Sequence, residues 1–321
     1  MNTQQLQYVL TLAEEKSFSA AAERLYVTQP SLSQYIHKIE NQLGAVLFDR
    51  TTKPLTLTES GEVYLHAAKQ ILTIENDMIQ RINEIEHLET GHLQIGASTY
   101  RTSYLLPKSI AAFREKYPGI HISIHEGEQE ELFEELRTGK INLIIGSAGL
   151  LPLEFDVEVL STERLYLGIP SNFSVNEKLK KYRLTFDDLY QKNEKFLFAE
   201  PIDPCFLLEQ PFILTEKGEF GREHMEKLFC SLEIDQEKMI SVQTVDAAFA
   251  YTLAGVGISI IPDSLILFGN FKEHPYYYSL PEEIASVKIC MFTRKQSELP
   301  NIIKNYGQFL KDLISVGTWR S

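Results

Sequence analysis

Between Thr28 and Lys53 the chain concentrates side chains suited to reading a polyanion whose edges carry hydrogen-bonding groups. Gln29, Ser31, Ser33, Gln34, His37 and Asn41 offer amides, hydroxyls and an imidazole, while Lys38, Arg50 and Lys53 offer positive charge. Amides pair with base edges and cations neutralise phosphates, so the chemistry on offer is nucleic-acid recognition. Such a set works only if one rigid element presents it. Leu32, Ile36, Ile39 and Leu43 recur at steps of four, three and four, which defines one apolar stripe of a helix and predicts its burial. At about 100° per residue, Pro30, Gln34, His37, Lys38 and Asn41 fall on the opposite face. Thr28 is a good N-cap, and Pro30 falls in the first turn, where no backbone N–H is needed. The helix is therefore expected to start near Gln29.

Two further segments support it. Leu6, Val9, Leu10, Leu12 and Ala13 outline a first helix, and residues 19–25 a second whose Ala20, Ala21 and Ala22 permit close approach. After Gly44 the stretch VLFDRTTKPLTLT reads as two short strands around a turn carrying Arg50, Lys53 and Pro54. A basic hairpin beside an outward polar helix face is a phosphate clamp. The expected DNA contacts are Thr28, Gln29, Pro30, Ser31, Ser33, Gln34, His37, Lys38, Arg50 and Lys53. Three helices packed for stability alone would leave both the polar face and the basic hairpin unexplained.

The spacing of Leu6, Ser17, Phe18, Ala21, Ala22, Leu25, Gln29, Pro30, Ser33, Ile36, Glu40, Leu43, Gly44, Leu47, Phe48, Arg50, Leu57, Thr58 and Gly61 resembles the LysR-type transcriptional regulators. The resemblance implies a winged helix-turn-helix over residues 1–60 that binds double-stranded promoter DNA. One position departs from it. The family often carries Arg just after the residue matching Ser33, where this chain has Gln34. Arg pairs best with guanine and Gln with adenine, so a changed base preference is expected if Gln34 reaches a base; a Gln meeting only phosphate or water is the equal alternative.

A chain of 321 residues with 44% hydrophobic content has enough apolar mass for two or three ordered domains. No run approaches the roughly 18 to 20 apolar residues of a membrane span, and the polar start MNTQQLQ has no signal-peptide pattern. A cytoplasmic protein is expected. The net charge of −13 runs against DNA binding, yet screening over about 8 Å isolates a distal acidic domain from the groove. Locally, Arg24, Lys38, Arg50 and Lys53 outnumber Glu40 and Asp49. Binding should be specific and salt-sensitive.

From Thr58 to about Leu88 there is no Pro, and no Gly after Gly61, while Ala67, Ile71, Ile74, Met78, Ile82 and Ile85 recur by threes and fours. That predicts one helix of roughly 45 Å whose stripe needs a partner. It resembles the family's linker helix, which implies a dimer through a coiled coil over residues 61–90, and a tetramer beyond it.

From Leu93 onward LQIGA, a helix near Tyr104 to Tyr117, IHISIHE, a helix from Gln129 to Thr138, and INLIIG form an alternating βαβαβ series, predicting a mostly parallel sheet. FDVEVLS and RLYLGIP lead into a second series: PFIL, a helix from Phe220 to Leu232, KMISVQT, a helix from Val245 to Ala254, and GISIIP. VKICMFT and a helix from Pro300 to Leu313 rejoin the first lobe. The expected regulatory domain, 91–321, thus has lobe 1 at about 91–162 and 266–321 and lobe 2 at about 163–265, crossing near 161–164 and 262–286. It resembles the family's two-lobed effector-binding domain and, more distantly, periplasmic solute-binding proteins.

Ligands of open α/β sheets sit beyond the carboxyl ends of strands, at helix N-termini. This places Ser98, Thr99, Arg101, Thr102, Gln129, Ser147, Thr215 and Thr244 as candidate effector contacts, each of them individually explicable as a helix cap. Hydroxyls, helix N-termini and Arg101 favour a small anionic metabolite. Two further departures from the family stand in this domain: Asn142 where Asp is usual, and a long FLFAEPIDPCFLLEQ segment before PFIL.

No metal or cofactor is expected. His121 and His125 share a strand face but lie roughly 13 Å apart, too far for one ion. Cys205, Cys230 and Cys290 read as buried, reduced thiols, although one subgroup of the family senses oxidants through a disulfide that Cys205 and Cys230 would imitate. AGVGISIIP leaves a helix and enters a strand, the reverse of a dinucleotide fingerprint. There is no G-x-S-x-G and no H-E-x-x-H. An enzyme fused to a DNA-binding head and a solute carrier oligomerised by its N-terminal domain are the rivals to a ligand-responsive regulator.

Overall fold

The computed structural model describes residues 3–86, 91–148, 153–215, 227–228, 239–295 and 299–315. They fall into two compact units, one within 1–88 with 137–140 and one within 89–136 and 141–321.

In the first unit α1 (Thr3–Glu15), α2 (Phe18–Arg24) and α3 (Gln29–Leu43) close a core of Leu6, Val9, Leu12, Ala21, Ala22, Leu32, Ile36 and Ile39. α3 starts at Gln29 as expected, with the Thr28 hydroxyl accepting from Ser31 N at 3.3 Å. It ends at Gly44, whose φ of 67° is the left-handed C-cap geometry that favours glycine. The apolar stripe fails in its last turn: Leu43 is 48% exposed. Glu40 is buried there instead, because it is needed beneath the hairpin formed by β1 (Phe48–Asp49) and β2 (Thr56–Leu57). Its Oε1 accepts from Leu47 N at 3.0 Å and Phe48 N at 3.4 Å, and its Oε2 takes Arg50 Nη2 at 2.8 Å. α4 (Glu59–Glu86) follows as a single helix; Tyr64 and Ala68 join the core of the three helices, while Ile71, Ile74, Met78 and Ile82 stand exposed.

In the second unit β3 (Gly91–Ala97) pairs in parallel with β4 (Ile120–Glu126) and β5 (Leu143–Ser147). A separate short helix, α5 (Thr99–Tyr104), precedes α6 (Leu106–Lys116), which is the helix expected from Tyr104. Ser98 caps the first, and Pro107 restarts the chain in the first turn of the second, where its missing N–H costs nothing. α7 (Gln129–Arg137) precedes β5. Asn142 carries the approach to β5 through a reciprocal bond: Gln94 N donates to its Oδ1 at 2.8 Å, and its own N donates to Gln94 O at 2.8 Å. An amide oxygen accepts where the family's usual carboxylate would, so the join to Gln94 is kept.

FDVEVLS and RLYLGIP form one strand, β6 (Phe155–Ile169). β6 is followed by short helices α8 (Val175–Lys178), α9 (Phe186–Gln191) and α10 (Glu194–Leu197), then β7 (Phe212–Thr215) and β8 (Met239–Val242), which pair in parallel. α11 (Val245–Leu253), β9 (Ser259–Pro262), α12 (Asp263–Phe268), β10 (Tyr276–Ser279), β11 (Ser286–Arg294) and α13 (Asn301–Ser315) complete the chain. The main sheet is mixed, correcting the mostly parallel expectation: β11 returns antiparallel to both β5 and β6. β6 is the spine of both lobes. Its first part pairs with β11, and its last residues pair with β10 and β9. Because β10 pairs with the distal end of β6, residues 276–279 lie with the second lobe, where 266 was the expected return; the chain crosses back at 280–286.

The FLFAEPIDPCFLLEQ stretch contributes Ile202 and Leu207 to the second-lobe core, through a 3-10 turn at Pro204–Leu207. Gly255, at φ 79°, ends α11, as read for AGVGISIIP. The helix expected over 220–232 falls largely outside the described residues.

Candidate nucleic-acid interface and effector site

The first unit presents its polar residues outward over a closed core. Thr28, Gln29, Pro30, Ser31, Gln34, His37, Lys38 and Asn41 are exposed and Ser33 is half-buried. Lys53 and Arg50 are exposed on the hairpin. Arg50 is not a free cation: its guanidinium is anchored to the buried Glu40 and lies over the Phe18 ring, 5.4 Å from its centroid. That anchoring holds the hairpin to α3. An open groove of about 750 Å³ runs between the two elements, lined by His37, Glu40, Asn41, Phe48, Arg50 and Thr51.

The strand ends of the second unit are arranged differently. Ser98 is the N-cap of α5 and accepts from Arg101 N at 3.4 Å; Thr244 caps α11 and accepts from Ala247 N at 3.2 Å. Thr99 and Thr244 are exposed, whereas Ser98, Thr102 and Gln129 are half-buried. Thr102 Oγ1 donates to Glu126 Oε1 at 2.7 Å, which places a carboxylate beside the candidate hydroxyls. Ser147, at the end of β5, and Thr215, at the end of β7, are buried.

Arg101 departs furthest from expectation. It is 0% exposed, and its Nη1 lies 2.7 Å from Glu163 Oε2, inside β6 where the chain crosses between lobes. Tyr100 donates to Glu163 Oε1 at 2.8 Å, and Ser264, in α12, hydrogen-bonds to both Tyr100 and Glu163. Burial, with the Glu163 charge next, pushes the Tyr100 phenol well above its ordinary value, so it remains a protonated donor. A charge this deeply buried persists only when paired, and Glu163 meets that requirement for Arg101. Arg101 is therefore a structural cation at the lobe crossing, in place of the ligand contact expected from its position. Glu163 and Ser264 were not singled out in the sequence, since each gains its role only when β6 and α12 meet α5. The pair Tyr100 and Tyr104, four apart on one helix, was the available signal: both rings pack against the second-lobe core.

Cys205 is exposed and Cys290 buried; Cys230 lies outside the described residues. The buried reading thus fails for Cys205. Its hydrogen bond with Asp203 and that residue's charge push the thiol up, which disfavours the reactive thiolate. His121 faces His92 across the β3–β4 pair, with ring centroids 5.3 Å apart, while His125 Nδ1 sits 2.9 Å from Glu135. Among the described residues no group of three or more metal-ligating side chains converges. No described helix is long and apolar enough to cross a membrane.

Comparisons with known proteins agree with this architecture. Residues 3–62 match the family model described as bacterial regulatory helix-turn-helix protein, lysR family, and residues 86–315 match the LysR substrate binding domain. A probable RuBisCO transcriptional regulator of Thalassiosira pseudonana is 32% identical over 193 residues, 59% of this chain and 62% of that protein. The chain thus spans about three-fifths of the length of such curated relatives. The regulator ClcR of Pseudomonas putida is 28% identical over 83% of this chain and 84% of its own. Among solved structures, full-length CbnR complexed with its target DNA superposes with a TM-score of 0.63 at 22% identity, covering 97% of this chain and 99% of that one. A full-length OxyR variant from Pseudomonas aeruginosa gives 0.68 at 21% identity, covering 97% and 95%. With one model covering the helix-turn-helix and another most of the remainder, the chain belongs to the LysR family of bacterial helix-turn-helix regulators.

Proposed function

We propose that this protein is a promoter-binding transcriptional regulator that answers to a small polar metabolite. The observation that carries the reading is the outward face of α3. Thr28, Gln29, Pro30, Ser31, Gln34, His37 and Lys38 stand in solvent above a core that needs none of them, beside a hairpin carrying Lys53. Ser33 and Arg50 complete the set, Arg50 through a guanidinium steadied by Glu40. A surface of this kind fits the major groove, with the hairpin on phosphates. The DNA complex of CbnR, a protein of the same fold, supports this reading.

The exposed Ile71, Ile74, Met78 and Ile82 of α4 support a second copy of the chain as partner, since an apolar stripe on an otherwise polar helix is stabilised by a coiled-coil neighbour. A tetramer follows as a dimer of such dimers.

The effector site is assigned to Ser98, Thr99, Thr102, Gln129 and Thr244, together with the buried strand ends Ser147 and Thr215. With Arg101 committed to Glu163, the case for an anionic ligand rests on backbone N–H groups at helix N-termini alone. A small polar ligand held by hydroxyls and amides is the reading these residues support. Binding suffices for response, because a ligand that prefers one lobe arrangement shifts the population toward it.

The test is footprinting of the purified protein on DNA upstream of its own gene at two salt concentrations, with Lys53→Ala alongside. An interrupted palindrome, protected less at higher salt and less in the variant, is the expected result. Loss of one phosphate contact should lower the salt slope by about 0.9. No protected stretch there or on neighbouring divergent promoters would remove the DNA-reading claim.

A further inference from the structure

Helix α5 belongs to the first lobe by its chain position after β3, yet one of its sides is built into the second lobe. Tyr100 and Tyr104 pack against the second-lobe core, and Arg101 and Tyr100 engage Glu163 and Ser264 at the crossing. A further contact comes from Tyr104, whose hydroxyl donates to Asp246 Oδ1, in the first turn of α11. α11 packs on the second-lobe strands, and its N-cap is Thr244; α5 begins at Ser98 and Thr99. The bond therefore joins the two helices that carry candidate effector groups from opposite lobes.

We propose that Tyr104 and Asp246 form a strap that ties the C-terminal end of the short helix α5 to the first turn of α11 and so sets the spacing between the two helices, making both positioning residues for the effector response. The inference rests on the reading of the N-terminal ends of α5 and α11 as the effector site. Three features favour it. Tyr104 is half-buried, so its ring is located by packing and its hydroxyl by the carboxylate. The carboxylate oxygen accepts directly from the hydroxyl, so the contact fixes both side chains. Burial first, and the Asp246 bond second, push the Tyr104 phenol above its ordinary value, which keeps it a protonated donor. An effector seated between Ser98 and Thr244 must either fit the spacing that the strap imposes or break it.

The experiment compares full-length wild type, Tyr104→Phe, Asp246→Ala, the double variant and Asp246→Asn by amide hydrogen exchange, without DNA or metabolite. Tyr104→Phe removes one oxygen and keeps the packed ring. Asp246→Asn keeps an acceptor and serves as the conservative rescue. Exchange in the first turn of α11, at Ala247 to Phe249, should rise about ten- to a hundred-fold in both single loss variants, no further in the double, and little in Asp246→Asn. Amides of β3, β4 and β5 should be unchanged. Additive effects in the double variant, or unchanged exchange, would overturn the strap.

A second arm reads the footprint on the upstream DNA with no metabolite added. Strap variants should alter its extent relative to wild type, and Asp246→Asn should restore it. An unaltered footprint with accelerated exchange would overturn the regulatory role and leave the contact a structural one. Loss of footprint in wild type itself would instead indict the DNA-reading proposal, so the two failures are told apart.

Discussion

The helix-turn-helix unit and the strand ends of the lobes use polar side chains in opposite ways. On α3, Gln34, His37 and Lys38 are exposed and the apolar stripe beneath is sealed without them. At the strand ends, Ser98 and Thr244 cap helices, Thr102 donates to Glu126, and Arg101 is held inside by Glu163. A groove reader must offer unsatisfied groups to a partner that arrives with its own hydrogen-bonding pattern. A lobe hinge must satisfy its polar groups internally, because an orphaned buried group costs more than a bond returns. Position along the chain therefore indicates exposure on α3 far better than it does beside β3.

The sharpest way to break this contrast is Arg101→Ala. Removing one partner of a buried pair leaves Glu163 charged and unmatched, a loss of about 3–5 kcal/mol, so denaturant unfolding should show a strongly lowered midpoint. A variant of wild-type stability would mean that the crossing network is dispensable and that Arg101 is available for a ligand after all.

This outcome bears on what was legible in residues 91–321. Strand and helix periods located β3, β4, α7, β7, β8 and α11 closely, because each is a local pattern of two or three and a half residues. They missed α5, since the polar stretch from Ser98 to Tyr104 shows no apolar period, and placed the start of α6 near Tyr104. They overlooked α12 and β10, which gain their identity from pairing or packing on β6.

A smaller effect is expected at the outward face of α3, and it sharpens the other side of the contrast. Gln34→Arg should leave the unfolding midpoint unchanged while moving preference toward guanine at one position of each half-site. The discrimination is about 1–3 kcal/mol, measurable by competition binding with variant operators. If neither base preference nor salt dependence moves, Gln34 does not touch DNA.

Smallest of all in stability is Thr99→Ala. An exposed side chain at the start of α5 should shift stability by no more than about 0.5 kcal/mol and leave operator affinity intact. Its effect should appear only as loss of metabolite-induced change in the footprint. Retained response in Thr99→Ala and in Ser98→Ala together would remove this end of α5 from the effector site.

By itself the sequence determined the three-helix unit and its outward polar face. The stripe of Leu32, Ile36 and Ile39, the Thr28 cap, the Gly44 stop and the basic hairpin are short-range features, and short-range features specify which face turns outward. It also determined that α4 would be long and apolar along one side. Only the tertiary structure decided that Glu40 would displace Leu43 from the core, that Arg101 would be neutralised by Glu163 of a distant strand, and that Tyr104 would reach Asp246. The physical reason is the same in each case. A buried charge or hydroxyl is committed to whichever partner the fold delivers to it, and no local pattern of residues announces that partner in advance.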